Sequence, residues 1–126
     1  MIDEQLSQGI GLFNEGEFFR CHEVLEEAWR LERRPRRLLL QALIHLAVGF
    51  YHSKRGNTVG AVRQLRKGIE KLVLYTPSCE GLDTARLYRE ALAAAQSIEA
   101  KIPLSTYPQI HEDTSSSHPC SHPPSR

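Results

Sequence analysis

The sequence predicts an all-α fold: a five-helix antiparallel bundle of helical hairpins with a disordered C-terminal tail. Three observations predict it. Apolar residues recur at helical spacing through five segments between Ile2 and Ile98. Short runs carrying Gly, Asn, Asp or Pro separate those segments, and such residues stop one helix and start the next. No segment alternates apolar and polar residues as a half-buried strand would, and no internal repeat is evident. Connections this short favour antiparallel neighbours. Residues 1–103 are therefore expected to form the helical domain and residues 104–126 the tail.

The first helix is expected over Ile2–Phe13, with Ile2, Leu6, Ile10 and Phe13 on one face and Asp3 helping its start. Gly9 and Gly11 weaken it unless they allow close packing. Asn14-Glu15-Gly16 makes a tight connection, since Asn and Gly suit the left-handed conformation that ends helices. The second helix runs to about Leu31. Pro35 suits the first turn of the third, which extends from about Arg36 to Arg55 and is apolar nearly all round. Such a helix is central and covered by neighbours. Gly56-Asn57-Thr58 ends it and caps a fourth helix, Val59–Tyr75, whose inner line is Ala61, Leu65, Ile69 and Leu72. Asp83 is the N-cap of a fifth, with Tyr88, Ala91, Leu92, Ala95 and Ile98 inward, and Pro103 ends it. From Leu104 the chain is Ser, Pro and His with almost nothing to bury.

Composition bounds the function classes. Hydrophobic residues are 40% and charged residues 25%, as in ordinary globular domains, and the net charge of +1 carries no global bias toward nucleic acid or anionic membranes. No stretch approaches the ~18 consecutive apolar residues of a membrane span, and Met1-Ile2-Asp3-Glu4 lacks the basic and apolar regions of a secretory signal. Cys21, Cys79 and Cys120 are odd in number and widely spaced, which suggests no disulfide framework and fits a reducing cytoplasm.

The chemistry concentrates in Phe18–Trp29. On a helical wheel Phe18, Leu25 and Trp29 share one side with Cys21 and Ala28, while Arg20, Glu23, Glu27 and Arg30 face water. His22 lies within the apolar side and Glu26 at its edge, four residues on, so the two are surface neighbours. A buried carboxylate needs a partner. That partner would be His22 as imidazolium, a donor on another helix, or a metal ion. The third helix adds a polar stripe of Gln41, His45 and His52.

The spacing His22-x-x-x-Glu26-x-x-Trp29 resembles the signature of a bacterial and archaeal family known as domain of unknown function 309. Flanking words agree: Phe13-Asn14-Glu15-Gly16-Glu17-Phe18-Phe19, Gln41-Ala42-Leu43-Ile44-His45 and Gly56-Asn57-Thr58-Val59-Gly60-Ala61. The resemblance spans roughly residues 5–75. It implies a small helical bundle whose His/Glu/Trp motif has been suggested to bind metal, and it implies no established activity. His45 departs from the family pattern, which more often has Gln there.

In the metal reading, His22 and Glu26 hold one divalent ion (Zn, Mn or Fe) with His45 as third ligand, and Trp29, Gln41 and His52 line the site. Open coordination positions would make the protein a metal-dependent hydrolase. In the structural reading, which takes precedence, His22, Glu26, Gln41 and His45 form a hydrogen-bonded network between helices and the Trp29 indole N–H finds an acceptor. Cys21 reads as a small buried hydrophobe. A third reading rests on the Arg33–Arg37 loop, with Arg36 and Arg37 at a helix N-terminus where a phosphorylated ligand, RNA or an acidic partner would dock. A solvated basic loop is the simpler account. His118-Pro119-Cys120-Ser121-His122 is incidental composition, and the apolar third helix is compatible with a homodimer.

Overall fold

The computed structural model describes residues 3–113. Among them are five α-helices: α1 (Glu4–Asn14), α2 (Phe18–Leu31), α3 (Arg37–Lys54), α4 (Thr58–Leu72) and α5 (Thr84–Glu99), with a 3-10 turn at Val73–Tyr75. Each helix packs chiefly on its neighbours in the chain: α1 on α2, α2 on α3, α3 on α4, and α4 on α5. None of these helices is long and apolar enough to cross a membrane.

The helix ends follow from local chemistry. The Asp3 carboxylate accepts the Leu6 N–H at 2.8 Å and starts α1. Asn57 accepts the Gly60 N–H at 2.9 Å and starts α4. Asp83 accepts the Arg86 N–H at 3.0 Å and starts α5. Gly16 turns left-handed (φ +80°) after α1, and the Glu17 N–H reaches back to the Leu12 carbonyl. The expected run of α4 to Tyr75 tightens instead into the 3-10 turn after Leu72. Tyr75 is fully buried there, its hydroxyl donating to the Pro35 carbonyl at 3.0 Å and its carbonyl accepting from Thr84 Oγ1 at 2.7 Å.

α3 is central, as its composition predicts: Leu39, Leu40, Ala42, Leu43, Leu46, Ala47 and Phe50 are all buried. Glycines set how closely its neighbours approach. A Cβ at Gly68 would lie 2.9 Å from the Ala42 carbonyl oxygen, and one at Gly49 would meet the Leu65 side chain at 2.7 Å. Gly9 in α1 likewise faces Leu25 of α2, whereas Gly11 faces open space.

One ion cluster ties four segments together. The Arg36 guanidinium pairs with Glu32 at the end of α2, with Asp3 at the start of α1, and with Glu80 at 3.4 Å in the α4–α5 loop. Arg36 and Glu32 are buried. The Arg34 guanidinium, opposed by burial and backed by Arg36 and the Arg34 backbone N–H, holds the Glu32 carboxyl at about 2.

The stretch expected to begin the tail is a correction. Residues 104–113 return across the bundle, because Tyr107 and Ile110 give the segment apolar anchors. Ile110 is buried, and Tyr107 packs on Phe18 and Phe50 at ring-centroid distances of 5.4 and 5.5 Å. The Asn14 side chain grips the Ile110 main chain twice, donating to its carbonyl at 3.0 Å and accepting its N–H at 2.7 Å. The cysteine reading is corrected too: Cys79 is buried and disulfide-bonded, while Cys21 is a free thiol. Spacing along the chain does not report proximity in the fold. Residues 114–126, with the His118–His122 run and the remainder of the expected tail, lie outside the described residues.

Removing the guanidinium in Arg36→Met takes the buried cation from Asp3 and Glu80 and leaves the buried Glu32 carboxylate with Arg34 alone. It should cost about 3–5 kcal/mol of unfolding free energy in urea denaturation. Because folding lowers the Glu32 pKa from 4.5 to about 2, its contribution is present above pH 4.5 and lost as pH falls toward 2. Acid unfolding of the wild type should therefore steepen across that window, and Glu32→Gln should flatten it. Gly68→Ala should destabilise by about 1–3 kcal/mol because backbone stands in the way, while Gly11→Ala should stabilise by about 0.5–1 kcal/mol. Thermal melts of both variants check the contrast.

Candidate functional site

α2 and α3 run antiparallel across a short loop, so His22 faces the second half of α3 and Trp29 its start. Phe19, His22, Val48, Tyr51 and His52, with Phe18 beneath, line a small cleft of about 160 Å³. Its walls are aromatic: Phe19 lies 5.7 Å from the His22 ring and 5.4 Å from Tyr51, centroid to centroid. Phe19 is 49% exposed, large for an aromatic ring beside a core. One α-helical turn toward the loop, Glu26 follows, and then Trp29 with the Arg37 guanidinium 4.0 Å above its ring.

Glu26 corrects the sequence expectation. Its side chain is 47% exposed, so it is not a buried carboxylate, and its Oε1 lies 3.6 Å from His22 Nε2, beyond hydrogen-bond length. Nor does the expected inter-helix network form. His22 Nδ1 and Trp29 Nε1 are both buried and neither has a hydrogen-bond partner among the described residues. The buried polar network of this domain is the Arg36 cluster instead, built from loop residues that periodicity does not flag.

The three-ligand set is not assembled. His45 points to the α4 side of α3, where its Nδ1 lies 2.8 Å from Gln64 Oε1. No three His, Cys, Asp or Glu side chains among the described residues form a group that could hold a metal ion. The reason is angular: His45 sits on the far shoulder of α3 from α2, nearer the ammonium groups of Lys67 and Lys71. Burial, with those two cations adding to it against the Gln64 hydrogen bond, lowers the His45 pKa.

The remaining expected site residues divide. Gln41 is half-buried on the open strip of α3 between His45 and Arg37. His52 lines the cleft and lies 3.4 Å from Asn57 Nδ2. The Arg36–Arg37 pair is split: Arg36 is consumed by its carboxylates, and only Arg37 is exposed. An anion docking on both guanidiniums has no place in this arrangement. Cys21 is buried and its thiol is pushed up to about 12 by burial, as befits a packing residue. Gln64 was missed in the sequence. Its available signal is a shared face, since Gln64, Lys67 and Lys71 lie three and seven residues apart.

Residues 6–64 match the family described as Domain of unknown function (DUF309). Over those residues the chain belongs to the DUF309 family. The match takes in α1, α2, α3 and the first half of α4, and with them His22, Glu26, Trp29, Gln41, His45, His52 and Gln64. Lys67, Lys71, α5 and the returning segment lie beyond it. The chain is also similar to the "Uncharacterized protein YpuF" of Bacillus subtilis (strain 168), at 36% identity over 86 residues. That alignment covers 66% of this chain and 49% of the relative, so the chain spans about half the length of the curated relative it matches.

A network that held the DUF309 helices together would lose stability when cut. Here the two buried nitrogens satisfy nothing, so His22→Phe and Trp29→Phe should change the unfolding free energy by less than about 1 kcal/mol or raise it. Urea denaturation followed by far-UV circular dichroism checks this. A loss above about 2 kcal/mol in both variants would return the cluster to a structural role.

Proposed function

We propose that this DUF309 domain is a ligand-binding module. Its site is the open face of α3 where α2 lies against it, and His22, Glu26 and Trp29 are its recognition residues. The observation that carries this reading is the pair of buried, unpartnered atoms, His22 Nδ1 and Trp29 Nε1, on one stripe of α2. Each such atom costs about 1–3 kcal/mol when left unsatisfied. A small polar ligand lying along the stripe would accept from the indole N–H, meet the imidazole and donate to Glu26. The aromatic cleft beside His22 would hold its apolar part. Binding is favoured over catalysis because the neighbouring thiol, Cys21, is buried and protonated.

A metal ion is the second reading. The 3.6 Å between His22 Nε2 and Glu26 Oε1 suits two atoms bonded to one ion at about 2.0–2.2 Å. Such an ion would draw its other ligands from water or from a bound molecule.

Trp29 is the one tryptophan of the chain, so its indole N–H resonance reports the site alone. A panel of small metabolites, phosphorylated and uncharged, and of Zn²⁺, Mn²⁺ and Fe²⁺ should contain a member that shifts this resonance in wild type and not in His22→Ala. Zinc retained at one per chain, and lost in both His22→Ala and Glu26→Gln, would select the metal reading. A panel that leaves the indole unmoved would overturn the module.

A further inference from the structure

The open face of α3 does not end at His22. It continues across Gln41, His45 and Val48 to α4, and its charge changes sign on the way. On the α2 side the rim carries the Glu26 carboxylate. On the α4 side it carries Lys67 and Lys71, neither of which has an ion-pair partner among the described residues. The cations of Arg66, Arg86 and Arg30, by contrast, are all paired.

Between these rims the polar atoms have a definite sense. Gln64 Oε1 only accepts, so His45 Nδ1 carries the proton toward it at 2.8 Å. His45 Nε2 is then a bare acceptor, and the Gln64 amide retains its two N–H donors. The ensemble on the α4 side is two ammonium groups, an amide donor and one imidazole acceptor. An anion bearing a neighbouring hydroxyl fits that set: oxygens to the lysines and amide, hydroxyl to His45. On the α2 side the ensemble is the aromatic walls of the cleft, with the Glu26 carboxylate one turn along α2. A flat ring bearing N–H donors fits that one. The two lie close: His52 at the cleft and His45 are seven residues apart, about 10 Å along α3.

We propose that the ligand of this site is a phosphorylated heteroaromatic molecule of the nucleoside monophosphate class. Its ring enters the cleft lined by Phe19, His22, Val48 and Tyr51, and its phosphate rests on Gln64, Lys67 and Lys71. This rests on the ligand-binding reading above and adds to it the chemical class and the orientation. Glu26 repels the phosphate from the α2 rim and accepts a ring N–H; the lysines hold the opposite end. Lys67 and Lys71 lie outside the stretch that matches the DUF309 family, whereas His45 and Gln64 lie within it.

The four ribonucleoside monophosphates, their unphosphorylated nucleosides and inorganic phosphate are titrated into the full chain, reading the Trp29 indole and the His45 ring resonances. At least one monophosphate should bind about tenfold or more tightly than its nucleoside or phosphate alone, moving both reporters. Lys67→Glu/Lys71→Glu, two changes on the solvent side of α4, should abolish that advantage and leave the weaker nucleoside response of Trp29 intact. Equal binding of nucleotide and nucleoside, or undiminished nucleotide binding by the double variant, overturns the proposal while the ligand module stands. The same holds if other metabolites move Trp29 and no nucleotide does. Affinity that grows with oligonucleotide length and falls steeply with salt overturns it in favour of a nucleic-acid surface. An indole that responds to nothing removes both readings.

Discussion

The arrangement depends most on the Arg36 guanidinium. Its partners come from three places: Asp3 before α1, Glu32 after α2 and Glu80 between α4 and α5. Asp3 serves twice, one carboxylate oxygen capping α1 and the other meeting Arg36. Buried ion pairs offset much of their attraction by desolvation, so net stability is a poor account of why such a cluster is there. Registry is a better one. Hydrophobic faces alone let helices slide by a turn, whereas one guanidinium with three carboxylates admits a single alignment of the ends at that pole of the bundle. Tyr75, bonded to the Pro35 carbonyl beside it, adds the end of α4 to the same junction.

The site inherits its geometry from that junction. With the α2–α3 loop pinned, Trp29 lies under Arg37 at the near end and His22 lies opposite Val48, Tyr51 and His52 further along. The opposite face of α3 is committed to the core, where Phe50 meets Phe13, Phe18 and Tyr107. The half-buried strip of Gln41, His45, Val48 and His52 is what remains open after α2 and α4 have taken their shoulders. Close approach at Gly49 and Gly68 brings α4 near enough for Gln64 to reach His45. The polarity of the face, the Glu26 carboxylate on α2 and lysines on α4, is thus a product of two separate helices. No single stretch of sequence displays it.

Much of the fold was legible because its signals are local. Asp3, Asn57 and Asp83 cap helices through side chains three residues from the amides they satisfy, and Gly16 and Gly56 adopt positive φ where helices end. The site was legible in part. The stripe holding His22, Glu26 and Trp29 follows from periodicity, and so does its position against α3. What periodicity could not supply was depth and direction. It placed Glu26 at an edge without saying that the edge is half open, and it put His45 on α3 without saying that it turns to Gln64. The arginine loop misled for the same reason: Arg36 and Arg37 are adjacent in the chain, yet one is buried among carboxylates and the other covers an indole.

The sequence by itself determined the class of fold, the helix boundaries within a few residues, the centrality of α3 and the DUF309 match over residues 6–64. These rest on short-range geometry: the 3.6-residue period, the caps and the turn residues. The tertiary structure alone decided that residues 104–113 pack back onto the bundle, that Arg36 is a junction rather than a docking site, and that His22 and Trp29 keep buried nitrogens without partners among the described residues. Each of these depends on which groups meet across long separations in the chain, as Asn14 meets Ile110 and Asp3 meets Arg36. Such meetings are set by the packing of whole helices, and a pattern confined to one helix carries no record of them.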